Sequence, residues 1–237
     1  MKITIIQVGQ TPEPMLDRYE RFEPQYQNLL LQSGQKFDFE TAAIIDGEEF
    51  PDLGNLQGIV ITGSAFGVYD SPVWIDELRL FIRDVYSAEI PMLGICFGHQ
   101  IMADALGGKV EKSDKGWGIG RHVYKMKKKP SFMNGIGDEV AIAAVHQDQV
   151  IEKPQEAKVF MASDFTPNAG LIYNNGAAIS MQPHPEFNVA YSKALVDRLN
   201  DGRLSEAQAR EAHISLDKPM NRAEVGAGLA QFFKSVK

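Results

Sequence analysis

Apolar and polar positions alternate along this chain with two distinct periods. Ile3 to Val8, "LQGIVITGS" and "EIPMLGI" are short, nearly unbroken apolar runs bounded by Gly or Pro, the pattern of strands buried on both faces. "KFDFETAAII" reads as another strand. Between these runs the period lengthens to that of a helix. Residues from about Asp17 to Gln32 predict one helix, and "SPVWIDELRLFIRDVY" a second, with Ser71 as N-cap, Pro72 at the first helical position and Trp74, Leu78, Phe81, Ile82 and Val85 on one face. "GHQIMADALGG" predicts a third, closed by Gly107 and Gly108.

The middle of the chain changes character. Strands are expected near His122 to Lys127, Val140 to Val145, Val159 to Ala162, Gly170 to Tyr173 and Ala178 to Met181, separated by turn residues. The last fifty residues return to helix. Ser205 with Gln208 and Asn221 with Glu224 have capping-box spacing, and Val225, Leu229, Phe232, Phe233 and Val236 mark the apolar face of a terminal helix. The expected architecture is an α/β fold: an open, mostly parallel sheet flanked by helices, with additional antiparallel strands. It forms a single domain over 1–237, with a helical C-terminal extension from about residue 188. Ligands of such sheets gather at the carboxyl ends of the strands, where both Gly63 and Cys96 fall.

Composition narrows the function. The 237 residues are 44% hydrophobic and 23% charged, with a net charge of −7, which disfavours a nucleic-acid partner. No stretch approaches the ~18 apolar residues of a membrane span, and the first apolar run is too short for a secretory signal. A cytoplasmic location is the expectation. The single cysteine excludes an intrachain disulfide or a multi-thiolate zinc site. His99, His146, His184 and Glu186 show no metal-ligand spacing, so neither metal nor cofactor is expected. The basic run Lys125 to Lys129 reads as a solvated hairpin end.

That cysteine, Cys96, sits in "GICFGHQ", a G-x-C-x-G pattern at a predicted strand-to-helix junction. This is the cysteine counterpart of a nucleophile elbow. Gly94 and Gly98 lack a Cβ, so the chain can fold back without a clash. The thiol is then held at a helix start, where partial positive charge favours a thiolate and free backbone N–H groups can bind an oxyanion. A base lies far downstream in "QPHPEF". Pro183 and Pro185 exclude helix around His184, and an extended chain would turn His184 and Glu186 to the same side. Cys96, His184 and Glu186 are thus expected as nucleophile, base and orienting acid. The order nucleophile, histidine, acid differs from the α/β-hydrolase order.

"GICFGHQ", "ALGGKV" and "QPHPEF" together resemble the signatures of the class I glutamine amidotransferase family, over most of the chain to about Phe187. The resemblance implies a cysteine-dependent hydrolase that opens the side-chain amide of glutamine through a γ-glutamyl thioester, releasing glutamate and ammonia. It assigns the oxyanion hole to "VITGSAFG": Gly63 matches the first family glycine and Ser64 replaces the second, so the N–H groups of Ser64 and Phe97 would donate. It places Gln100, Ala144, Val145, His146 and Trp117 around the substrate, with Gly118 and Asp148 beside them. The roughly fifty residues after Phe187 read as helices, so no synthase domain is expected there, and the resemblance leaves several readings. One is an amidotransferase that passes ammonia to a separate synthase subunit. Another is a γ-glutamyl peptidase or hydrolase acting alone on γ-glutamyl peptides or conjugates. A third, disfavoured by the intact Cys and His, is a non-catalytic regulatory or binding protein on the same fold.

Overall fold

The computed structural model describes residues 1–236. In chain order its strands are β1 (Lys2–Ile6), β2 (Asp38–Ala42), β3 (Ile59–Ile61), β4 (Met92–Ile95), β5 (Lys109–Lys112), β6 (Gly118–Met126), β7 (Glu139–His146), β8 (Asp148–Glu152), β9 (Ala157–Ala162), β10 (Gly170–Tyr173) and β11 (Ala178–Met181). The helices are α1 (Phe22–Leu31), α2 (Val73–Ser87), α3 (Phe97–Ala105), α4 (Val189–Leu199), α5 (Glu206–Leu216) and α6 (Arg222–Ser235).

Nine strands form one sheet in the order β2-β1-β3-β4-β11-β10-β9-β6-β7. The five from β2 to β11 run parallel, and the rest are antiparallel. β3, β4 and β11 are buried at every position, which explains their unbroken apolar runs. One face is covered by α1 and α6 through Tyr26, Leu29, Val225, Leu229 and Phe233; the other by α2 and α3 through Leu78, Ile82, Ile101 and Met102. α4 and α5 close a third apolar cluster, with Val196, Ala212 and Leu216 packed on Ala143 of β7.

Several expectations need correction. α1 begins at Phe22 rather than near Asp17, because a 3-10 turn at Glu13–Met15 is followed by a further turn in which the Tyr19 N–H returns to the Met15 carbonyl. Ser71 does not cap α2; Pro72 takes the N-cap place, with no side-chain cap. The box expected at Asn221 and Glu224 is also absent. The Asn221 side chain instead accepts the Ala141 N–H at 2.9 Å, whereas Ser205 and Gln208 form their box in full. The β5–β8 ribbon was not visible in the pattern: of "KVEK" only Val110 is buried, so charge hides the strand.

Candidate active site

Cys96 stands between β4 and α3 with φ 54° and ψ −104°, a region that L-residues rarely occupy. Its backbone is held there from both directions, the N–H donating to the Met181 carbonyl (2.9 Å) and the carbonyl accepting from the Gln100 N–H (3.0 Å). The flanking glycines are required by close approach. A Cβ on Gly94 would lie 2.5 Å from the Gly98 carbonyl oxygen, and one on Gly98 would lie 2.3 Å from that of Ile61. Such a backbone conformation costs on the order of 1–3 kcal/mol and persists only where the surroundings over-determine it. Cys96 is only 6% exposed.

His184 arrives from the loop after β11. Its N–H donates to the Ala143 carbonyl of β7 at 2.8 Å, and its ring stacks on Phe187 with centroids 4.1 Å apart. Nδ1 is 2.7 Å from Glu186 Oε1, leaving Nε2 for the thiol. The alignment of His184 with Glu186 comes from a turn, not an extended chain: the Phe187 N–H returns to the His184 carbonyl at 3.3 Å. The ring and the cysteine meet at Gly63, where a Cβ would lie 3.3 Å from His184 Cε1 and 3.6 Å from Cys96 Cβ. Burial depresses the imidazole's basicity, but hydrogen bonds to, and the negative charges of, the Cys96 sulfur and Glu186 outweigh it and push the pKa up to about 10. Glu186 has a fully buried side chain.

The strand end at Gly63 supplies backbone donors. The Gly63 N–H is already taken by the Tyr26 hydroxyl (2.8 Å), while the N–H groups of Ser64 and Phe97 donate to no acceptor among the described residues. Ser64 has no positive φ, which is why serine can stand where a glycine is usual. Tyr26 also lies beside Glu186, and burial together with that carboxylate keeps its phenol protonated.

The other expected residues spread around this centre. The Val145 carbonyl is 4.0 Å from Cys96 Sγ, with Ala144 buried beside it in β7. Gln100 is engaged by the scaffold: its Nε2 donates to the Asp148 carbonyl (2.9 Å) and to Gln182 Oε1 (3.2 Å), leaving its oxygen for a ligand. His146 turns toward Gly118 and Phe165, with Nδ1 3.1 Å from the Asp148 carbonyl; burial lowers its pKa to about 3, so it is neutral. Trp117 is half-buried against the α4–α5 cluster. Asp148 accepts the Tyr69 hydroxyl at 2.8 Å, tying the loop after β3 to β8.

Tyr26 and Tyr69 were missed from sequence. Tyr26 reads there as one more aromatic on the buried face of α1, and Tyr69 as a loop residue; neither pattern carries a signal. Among the described residues no cluster of three or more His, Cys, Asp or Glu side chains could hold a metal ion, and no helix is long and apolar enough to cross a membrane.

Residues 16–196 match the model of the glutamine amidotransferase class-I family. The chain belongs to that family. A Saccharomyces cerevisiae protein named as a glutamine amidotransferase is 34% identical over 148 residues, 59% of this chain and 58% of its own length. Gamma-glutamyl peptidase 4 of Arabidopsis thaliana is 31% identical over 209 residues, 84% of this chain and 82% of its own. The crystal structure of a glutamine amidotransferase from Thermotoga maritima shares the fold, with a TM-score of 0.74 and 20% identity over 99% of this chain and 96% of that one. This class I amidotransferase is thus similar both to a protein named as an amidotransferase and to a gamma-glutamyl peptidase, which supports a hydrolase or amidotransferase enzyme.

Proposed function

We propose that the chain hydrolyses the γ-glutamyl amide of glutamine through a Cys96 thioester. The observation that carries this is the convergence at Gly63 of a strained Cys96, a charged His184 and a buried Glu186. The Cys96 thiolate attacks the side-chain amide carbon, and the carbonyl electron pair moves to oxygen. The free N–H groups of Ser64 and Phe97 receive that oxyanion. As the C–N bond breaks, His184 gives its proton to the nitrogen, which leaves as ammonia. Once the sulfur is acylated it carries no charge, so one of the interactions that raised His184 is gone. The imidazole, still oriented by Glu186, then takes a proton from water, which attacks the thioester. Glutamate leaves and the thiolate returns.

The substrate arm must be thin, because Cys96 is nearly covered. The Val145 carbonyl and the open oxygen of Gln100 are the acceptors at hand for an α-ammonium group. A separate synthase subunit would be the consumer of the ammonia. A second reading is a peptidase that opens the same γ-glutamyl bond in peptides. It is favoured by the likeness to gamma-glutamyl peptidase 4 along 84% of the chain.

Glutamate release from glutamine and from a γ-glutamyl dipeptide by the purified chain tests both. Turnover of the dipeptide alone selects the peptidase, and turnover of glutamine selects the glutaminase. Full activity in a Cys96→Ser variant ends both.

A further inference from the structure

Arg222 opens α6, beyond the residues that the family model matches. Its Nη2 donates to the Glu186 carbonyl oxygen (3.1 Å) and its Nη1 to Oε1 of Gln32, the C-cap of α1 (3.0 Å). One guanidinium therefore ties the 184–187 turn to a helix on the same face of the sheet. The Arg222 Nε and the Glu186 Oε2 are each buried without a hydrogen-bond partner, a donor and an acceptor of opposite charge on neighbouring residues. Burial weakens the hold of Arg222 on its proton, and the charges of Glu186 and Glu20 strengthen it.

Asn221 reinforces the attachment. Its N–H donates to the Ala141 carbonyl (2.8 Å) and its Oδ1 accepts the Ala141 N–H (2.9 Å), so it pairs with β7 as a strand would. Two residues along β7, Ala143 holds the His184 N–H. The start of α6 thus holds the Glu186 carbonyl directly and, at Ala141, the strand whose Ala143 holds the His184 N–H. Beside Glu186 lies a half-open pocket of about 400 Å³ lined by Arg222, Glu186, Tyr191, Gln25 and Glu20.

We propose that Arg222 is a positioning residue of the active site: its guanidinium fixes the turn that carries Glu186 and supplies the positive charge beside that carboxylate. The groups facing Glu186 are His184, Tyr26 of α1, Tyr191 of α4 and Arg222, with Glu20 acting on Arg222. Arg222 is the cation among them that cannot lose its charge at working pH. The inference rests on the thioester reading above.

The test uses the full chain with the substrate it turns over, together with the rate of Cys96 alkylation by iodoacetamide, which needs no substrate. Arg222→Met should lower kcat and the alkylation rate about 10- to 100-fold, the range of a charge-assisted hydrogen bond, with KM within about twofold. Arg222→Lys should recover part of both, and Gln32→Ala should show a smaller fall in kcat. A folded Arg222→Met with wild-type kcat and alkylation rate overturns the proposal. Should that variant not fold, the other two decide: a fall in kcat at constant KM in either supports the role, and wild-type kcat in both overturns it. Activity in Cys96→Ser would instead sink the thioester reading itself.

Discussion

The side chain of Cys96 is small, but its backbone is the costly part. At φ 54° the chain gives up on the order of 1–3 kcal/mol to hold the thiol above the β4 end. Cys96→Ser keeps the shape and replaces the sulfur with a hydroxyl that stays protonated at neutral pH. Its kcat should fall at least about 10³-fold, and mass spectrometry should show no acyl adduct. Under the proposed mechanism His184 should set the pH dependence. Its pKa is raised from 6.5 to about 10, so the imidazolium it contributes is fully present below 6.5 and is lost as pH rises through the folded value. In the proposed mechanism acylation consumes that proton, so a single-turnover pH profile should hold its rate through pH 8 and fall on the alkaline side toward 10. An alkaline limb near 6.5 would contradict this. Glu186→Gln removes one of the two charges that raise His184 and should move the limb down.

At the scale of elements, the strand-to-helix junction depends on two close approaches. Gly98→Ala would drive a Cβ to 2.3 Å from the Ile61 carbonyl oxygen, so β3 or α3 must shift. Loss of activity with a melting temperature lowered by several degrees is the expected outcome, measured by thermal unfolding beside the assay. This junction was legible in sequence because its chemistry is local: two glycines, one cysteine and an apolar run fall within a few residues. The pairing of His184 with Glu186 was legible too, but for the wrong conformational reason, since a turn rather than an extended segment aligns them. What stayed hidden depends on contacts between distant segments. Tyr26 reaches Gly63, Arg222 reaches Glu186, and Asn221 answers Ala141 instead of capping its own helix. A pattern of apolar spacing records which face is buried, not which hydroxyl or guanidinium meets it. Ser71 failed as a cap for a related reason: with Pro72 itself in the N-cap place, the hydroxyl lies one residue too early.

For the whole molecule, the terminal helix is part of the core as well as a support for the site. Phe232 and Phe233 are each 1% exposed and pack with Phe132 and Phe37. Phe232→Ala should destabilise the protein by about 3–5 kcal/mol, read from the urea midpoint at an unchanged m-value.

The order of strands has a temporal meaning as well. β11, made near the end of the sheet-forming sequence, inserts between β4 and β10, and its last residue secures the Cys96 N–H. As a ribosome releases the chain from its N-terminus, β4 emerges with one side still unzipped, and the cysteine waits for an imidazole not yet translated. On the proposed mechanism, chemical competence is therefore withheld from the growing polypeptide until its final third has been threaded into place.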